Sequence, residues 1–189
     1  MDGVRVTTAL RTALDLGRLL WRFDALAAID GFLRLGVPHE LIIAEINRFR
    51  GYRGVCQCRV LAPLGDSRSE SPGEAALRLY WYDAGLPKPV LQHWIYSDAG
   101  VPIYRLDITD PDVRFGAEYD GEEFHTEAED QEYDETRREW VSSQRAWTIN
   151  AFTKNDVYSR DAYPVPQLQA GYAAARKHVS LWTPRHRRD

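Results

Sequence analysis

Arg105-Leu106-Asp107-Ile108, then Ala117-Glu118-Tyr119-Asp120-Gly121 and His125, is the stretch that decides how this chain is read. Both runs have strand character, and together they carry three carboxylates. Side chains alternate along a strand, so Arg105 and Asp107 share one face while Tyr104, Leu106 and Ile108 share the other. In the second run Glu118 and Asp120 point one way, and Phe115, Ala117 and Tyr119 the other. A turn at Asp110-Pro111-Asp112-Val113 joins the runs, with proline at a favoured turn position. Pairing Asp110 with Val113 sets Asp107 opposite Gly116 and leaves Glu118 a diagonal neighbour at about 7–8 Å. One bulge or a longer loop sets Asp107 directly opposite Glu118. In either register acidic groups converge on one face of a hairpin whose other face is apolar. Carboxylates so close repel each other unless a cation or a proton intervenes. A hard divalent ion, held by one or two carboxylates with water and substrate phosphate, is the usual solution.

Working outward, Glu70-Ser71-Pro72-Gly73-Glu74 opens a helix, with Ser71 as its cap and Glu74 completing a capping box. Glu74 has that structural reading beside a site role. Leu86-Pro87-Lys88-Pro89 delivers the chain into a strand at 90–96, and Ser97–Gly100 turns it into the acid-bearing hairpin. A polar helix at about 127–145 follows, then a strand at 147–152, a turn or short helix at 154–158 and a last helix at about 168–179. The order is helix, three antiparallel strands, helix, strand, helix. It predicts an α+β domain, α/β-like in its one crossover, with a mixed sheet of about four strands flanked by helices.

The front of the chain differs. After a strand-like Val4–Thr8, helices are expected from Thr8 to Leu20, from about Arg22 to Leu35, after Pro38, and from about Tyr52 to Leu64. This helical segment, residues 1–66, has no catalytic cluster and reads as a platform or a surface for a protein partner. The turn-rich 66–73 stretch is the predicted boundary, which leaves 67–189 as the second domain.

Composition narrows the classes. No apolar run approaches the roughly 20 residues that span a bilayer, and the start lacks the pattern of a signal peptide. Cys56 and Cys58 form a C-x-C on an expected helix, with no further cysteine to complete a zinc set, so ordinary reduced thiols and a cytoplasmic protein are expected. The net charge of −4 hides an asymmetry, because residues 118–139 hold eleven acids against two arginines. Such a block repels nucleic acid unless metal ions or a separate basic surface compensate, and much of it reads as a solvated helix face. The basic end, Pro184–Arg188, either touches phosphates or simply frays.

In this order the residues resemble the PD-(D/E)XK nuclease superfamily, closest to the domain related to very-short-patch-repair endonucleases. Asp107 matches the first acid, Glu118 the second, Gly121 and His125 the trailing signature, and Glu70 or Glu74 the acid on the leading helix. The likeness covers about 70–156. Val6-Thr7-Thr8 through Arg11–Leu16 is similar to the middle segment of actinobacterial AbiEi-type antitoxin proteins. Those proteins carry a winged-helix domain before that segment, which no residues here match, so its promoter-binding role is not implied. One departure stands out: the lysine expected two residues after the second acid is Asp120, a position some restriction enzymes of this fold fill with a carboxylate.

The resemblance implies metal-dependent hydrolysis of nucleic-acid phosphodiesters in repair, restriction or phage defence. Asp107 and Glu118 would bind Mg²⁺ or Mn²⁺, with Glu74 completing the shell and Asp120 or His125 accepting a proton from water. Gln92 and Arg138 would orient phosphate or the acids, on DNA or RNA. Against this stands the plainer reading of Asp107 and Glu118 as solvent-facing strand residues or partners of Arg105 and Arg114. Of the aromatics, Trp81, Tyr82, Trp94, Tyr96, Trp140 and Trp147 either stack on bases or pack in the core, and their spacing favours the core. The second functional reading is a binding module, a nuclease fold without catalysis in a toxin–antitoxin or phage-defence system.

Overall fold

The computed structural model describes residues 3, 5–121, 140–143 and 145–182. Its contacts divide the chain into two units, Met1–Leu79 and Tyr80–Asp189.

In the first unit lie α1 (Ala9–Leu19), α2 (Arg22–Arg34), α3 (His39–Glu45) and α4 (Val55–Leu61), with 3-10 turns at Ile46–Phe49 and Ala62–Leu64. The helix α5 (Pro72–Asp83) begins here and ends in the second unit. Thr8 caps α1 by accepting the Arg11 amide at 3.2 Å, as its position predicts. Residues 5–8 form no strand. Leu19 and Leu20 stay 57% and 37% exposed, so the apolar stripe of α1 stops short of its expected end. α1 meets its neighbours through Gly17, where an added Cβ would lie 3.1 Å from Ile29 and 3.2 Å from Cys58. α4 starts later than expected because Gly54, at φ 76, brings the backbone onto Arg18, where a Cβ would fall 1.8 Å from its carbonyl oxygen.

The boundary between units comes after the turn at 66–73, and Arg78 supplies the reason. Its guanidinium is 1% exposed, pairs with the equally buried Asp30 and donates to the Leu64 carbonyl, while the Asp66 amide donates to Asp30 at 2.8 Å. A buried charge is stable only when paired and hydrogen-bonded, so these contacts hold the first turns of α5 in the helical unit.

The second unit is built on β1 (Val90–Tyr96), β2 (Pro102–Asp110), β3 (Phe115–Asp120) and β4 (Thr148–Thr153), in that spatial order. β1, β2 and β3 are antiparallel neighbours, whereas β3 and β4 run parallel. Parallel strands need a crossover, and among the described residues between them 140–143 are helical, in keeping with the expected α+β order. Next come α6 (Lys154–Tyr158), with a Thr153–Asp156 capping box, and α7 (Val165–Trp182). On one side of the sheet Trp81 stacks on Phe115 at 5.3 Å, and Tyr172 meets both rings edge-on. Gly171 admits that approach, since a Cβ there would lie 2.7 Å from Phe115. On the other side Ile95, Tyr104, Leu106, Val141 and Trp147 form a buried cluster. Among the described residues no helix is long and apolar enough to cross a membrane.

Candidate functional site

The β2–β3 loop is longer than the sequence suggests. Pro111 to Arg114 form it, the Arg114 amide donates to the Pro111 carbonyl at 3.2 Å, and Arg114 takes φ 53. The pairs are therefore Asp110 with Phe115, Thr109 with Gly116 and Ile108 with Ala117, so the expected pairing of Asp110 with Val113 is corrected. Two more residues in the loop shift the register, and carrying it one step on sets Asp107 across from Glu118. That is the second of the two registers the sequence allows.

The β2–β3 ladder ends at this step. The Tyr119 amide donates to Asp107 Oδ2 at 2.9 Å, so the carboxylate takes the place of a main-chain acceptor between the strands. Beyond it β3 continues beside β4 as far as Asp120 and Thr153, while β2 continues beside β1 as far as Pro102. The sheet forks, and the two acids stand where the prongs part.

Regular alternation is lost at the same place. Gln92, across from Asp107 in the β1–β2 register, has φ 53, although its neighbours Leu91 and His93 keep their pairing. Left-handed backbone in a non-glycine residue costs roughly 1–3 kcal/mol and persists where the surroundings fix it. Leu106 packs toward Gly116, where an added Cβ would lie 3.0 Å from its Cδ1. Tyr104, in the same cluster as Leu106, donates its hydroxyl to Glu118 Oε2 at 3.0 Å. The expectation that Tyr104 lies on the face away from the acids is thus overturned, and so is a solvent-facing Glu118, which is 8% exposed. Strand alternation could not reveal Tyr104 as the partner of Glu118, because the contact depends on its interruption.

The remaining candidates sort unevenly. Asp120 ends β3, half-buried, two residues from Glu118 and beside Thr153 of β4. Glu74 closes the start of α5: it accepts the Glu70 amide at 2.8 Å, and its own amide donates to Ser71 Oγ at 3.1 Å. The Ser71 bond is the cap read from the sequence, whereas the Glu74 carboxylate reaches the Glu70 amide, one residue before the cap amide that a capping box uses. Gln92 is half-buried opposite Asp107. His125 and Arg138 lie outside the described residues. Asp110, also in this hairpin, is occupied by the Tyr172 hydroxyl at 2.8 Å and the Asp112 amide at 3.1 Å. Burial first, and then Asp110, push the Tyr172 phenol up to about 12. Further along β1, burial lowers the pKa of His93, whose ring lies 5.5 Å from that of Trp147.

Among the described residues no three of His, Cys, Asp and Glu gather as a metal-binding set. Asp107 and Glu118, at the point where β2 and β3 part, offer hard carboxylate oxygens. Their chemistry fits Mg²⁺ or Mn²⁺, and Mg²⁺ commonly takes one or two carboxylates and completes its shell with water and phosphate.

No family model matches the chain, and no solved structure matches it. Two relatives do, the uncharacterized proteins Rv2248 and MT2308 from two strains of Mycobacterium tuberculosis. Each is 36% identical over 159 residues, which is 83% of this chain and 58% of the relative. The chain therefore spans a little under three-fifths of the length of the curated relatives it matches.

Proposed function

We propose that the fork is the centre of a metal-dependent, endonuclease-like domain that hydrolyses nucleic-acid phosphodiesters. One observation carries the reading: β2 and β3 part at Asp107 and Glu118, so the chain places two carboxylate residues where a sheet would otherwise continue. A strand pair gains nothing in stability from facing acids, which repel. Asp107 and Glu118 would hold Mg²⁺ or Mn²⁺, an ion that when bound polarises a phosphate and lowers the pKa of bound water. Tyr104 fixes one oxygen of Glu118, and the Tyr119 amide fixes one oxygen of Asp107, so both acids are oriented before a ligand arrives. Asp120, on the same prong as Glu118, stands where it would accept a proton from the attacking water or bind the ion. His125 is the other candidate acceptor.

A specific observation favours a second reading, a nuclease fold that binds without cutting. Both acids have partners within the sheet, and no third donor joins them among the described residues. The experiment that separates the two incubates the protein with supercoiled plasmid, single-stranded DNA and RNA, in Mn²⁺ or EDTA, beside Glu118→Ala. Metal-dependent cutting that the variant loses supports the enzyme. Intact nucleic acid in every lane, with a stable pull-down partner, supports the binding module.

A further inference from the structure

Trp94 and Tyr96 of β1 stay 42% and 52% exposed, against the core packing their spacing favours, and in the first unit Tyr52 is 58% exposed. Tyr52 stands within a basic run. From Ile46 to Gly65 there are four arginines, Arg48, Arg50, Arg53 and Arg59, and no acid. The acids that flank the run are taken up, Glu45 by Arg48 at 2.6 Å and Asp66 by Arg68 at 2.7 Å. Arg50 and Arg53 are exposed, and among the described residues neither pairs with a carboxylate.

The loop that carries them is built onto α1. Arg18, 7% exposed, donates from Nη1 to the Arg53 carbonyl at 2.8 Å and from Nη2 to Asp15 at 2.7 Å. Its guanidinium carbon lies 4.5 Å from the centre of the Phe49 ring and 5.6 Å from that of Tyr52. Gly54 closes the loop against the Arg18 backbone, and the Tyr52 amide donates to the Phe49 carbonyl at 2.9 Å. Arg11 lies 5.0 Å from the Phe49 ring centre and also pairs with Asp15. Asp15 and Glu45 thus match two of the five guanidinium charges of Arg11, Arg18, Arg48, Arg50 and Arg53, which leaves three. Beside the loop opens a cavity of about 370 Å³, whose lining includes Thr8, Arg11, Glu45, Arg48, Phe49 and Tyr52.

We propose that this loop and cavity bind single-stranded nucleic acid, with Arg50 and Arg53 on phosphates and one unpaired base in the cavity beside Tyr52. All of these residues lie in the first unit, so the proposal goes beyond the nuclease reading and does not rest on it. Unmatched guanidinium groups crowded in one loop repel each other, and phosphates spaced along a strand relieve that repulsion with bidentate hydrogen bonds. An acidic peptide would answer the charge but leave the aromatic lining unused. A base offers a flat face to the Tyr52 ring and amino groups to the Glu45 carboxylate. The cavity is at the small end of the roughly 300–1,000 Å³ range of ligand sites, which suits one nucleotide. Arg18 and Gly54 fix the loop before any ligand arrives, so little order is lost on binding.

The test follows the anisotropy of fluorescein-labelled oligothymidine and oligouridine with the whole chain in EDTA, beside a duplex of equal length. Polyglutamate and inorganic phosphate serve as competitors. The single strands should bind at least about tenfold more tightly than duplex, and polyglutamate of equal charge should compete at least about tenfold less well than unlabelled strand. Arg50→Gln with Arg53→Gln should weaken binding by about tenfold or more, each lost phosphate contact flattening the salt slope by roughly 0.7. Both arginines are exposed, so thermal melting of that variant should match the parent. Tyr52→Ala should weaken binding by roughly five-fold or more, and Tyr52→Phe should keep most of it. No binding of single strands, equal affinity for duplex, or unchanged binding by Tyr52→Ala or by the arginine variant overturns the proposal. Displacement by polyglutamate as effective as by unlabelled strand would mark an acidic protein as the partner, and displacement by inorganic phosphate a lone phosphate group. Either result overturns it as well. Glu118→Ala should bind as the parent does. Loop-dependent binding without metal-dependent cutting would end the nuclease reading and leave this one standing. Cutting beside unaltered binding in the loop variants would do the reverse.

Discussion

In the helical unit the Asp30 carboxylate meets the guanidinium of Arg78, both side chains 1% exposed. At the fork Glu118, 8% exposed, accepts from the phenol of Tyr104, and Asp107 accepts from the Tyr119 amide. The first arrangement sets charge against charge. Burial pushes the Asp30 carboxyl up, and Arg78 and the Asp66 amide pull against that rise. Such a pair completes itself and serves the fold, here by fixing the start of α5 to the helices before it. The phenol and the amide each fix the position of one carboxylate oxygen.

The contrast is sharpest when one partner is removed. Arg78→Met leaves Asp30 buried without its counter-charge and should lower stability by about 3–5 kcal/mol in denaturant titration. Replacing both, Asp30→Leu with Arg78→Met, should restore most of that loss, since an apolar pair of similar volume is often neutral. A double variant as unstable as the single one would show that Asp30 has a role beyond the pair. Asp107→Asn probes the other side. An asparagine oxygen can still accept the Tyr119 amide, so the melting temperature should hardly move. Metal-dependent hydrolysis should fall by roughly 10²–10³-fold, the scale of losing one charge-stabilising group. A large loss of stability with activity retained would move Asp107 to the structural class of Asp30.

Tyr104→Phe has a smaller expected effect. It leaves the Glu118 oxygen buried without the hydroxyl, at a cost of about 1–3 kcal/mol, and should weaken Mn²⁺ binding measured by calorimetry. Unchanged metal affinity would show that the phenol merely fills the cluster. The least effect is expected at His93. Its folded pKa lies below the ordinary value, so its contribution to stability is full above about pH 6.5 and is lost as pH falls through the lower folded value. His93→Phe should flatten the acid limb of a stability–pH curve, and an unaltered limb would remove burial of His93 as its cause.

Much of the second unit was legible because its signals are local. The β1 bounds, the turn at Ser97–Gly100 and the crossover before β4 follow from alternation, turn residues and element order, and the structure has them. The front helices were legible for the same reason, except where Leu19 and Leu20 broaden the apolar stripe beyond what becomes buried. The site was legible only as an alternative. Asp107 and Glu118 were readable as strand acids, yet loop geometry decides which residue faces which, and Pro111–Arg114 closes two residues later than the simplest turn. Nothing in the pattern around Gln92 announces a left-handed residue, because that conformation is imposed by neighbours distant in sequence. The exposure of Trp94 and Tyr96 was hidden likewise, since alternation says which rings share a face but not which face is covered.

By itself the sequence determined the order of helices and strands, the hairpins, and the three acids on two adjacent strands. Those features rest on the periodicity of side chains and on turn residues, which act between near neighbours. Only the tertiary structure decided that β2 and β3 part beside Asp107 and Glu118, that Tyr104 reaches across to Glu118, and that α5 begins with the helical unit through Arg78. Register, burial and charge pairing are settled by contacts between residues far apart along the chain, and local periodicity carries no record of them.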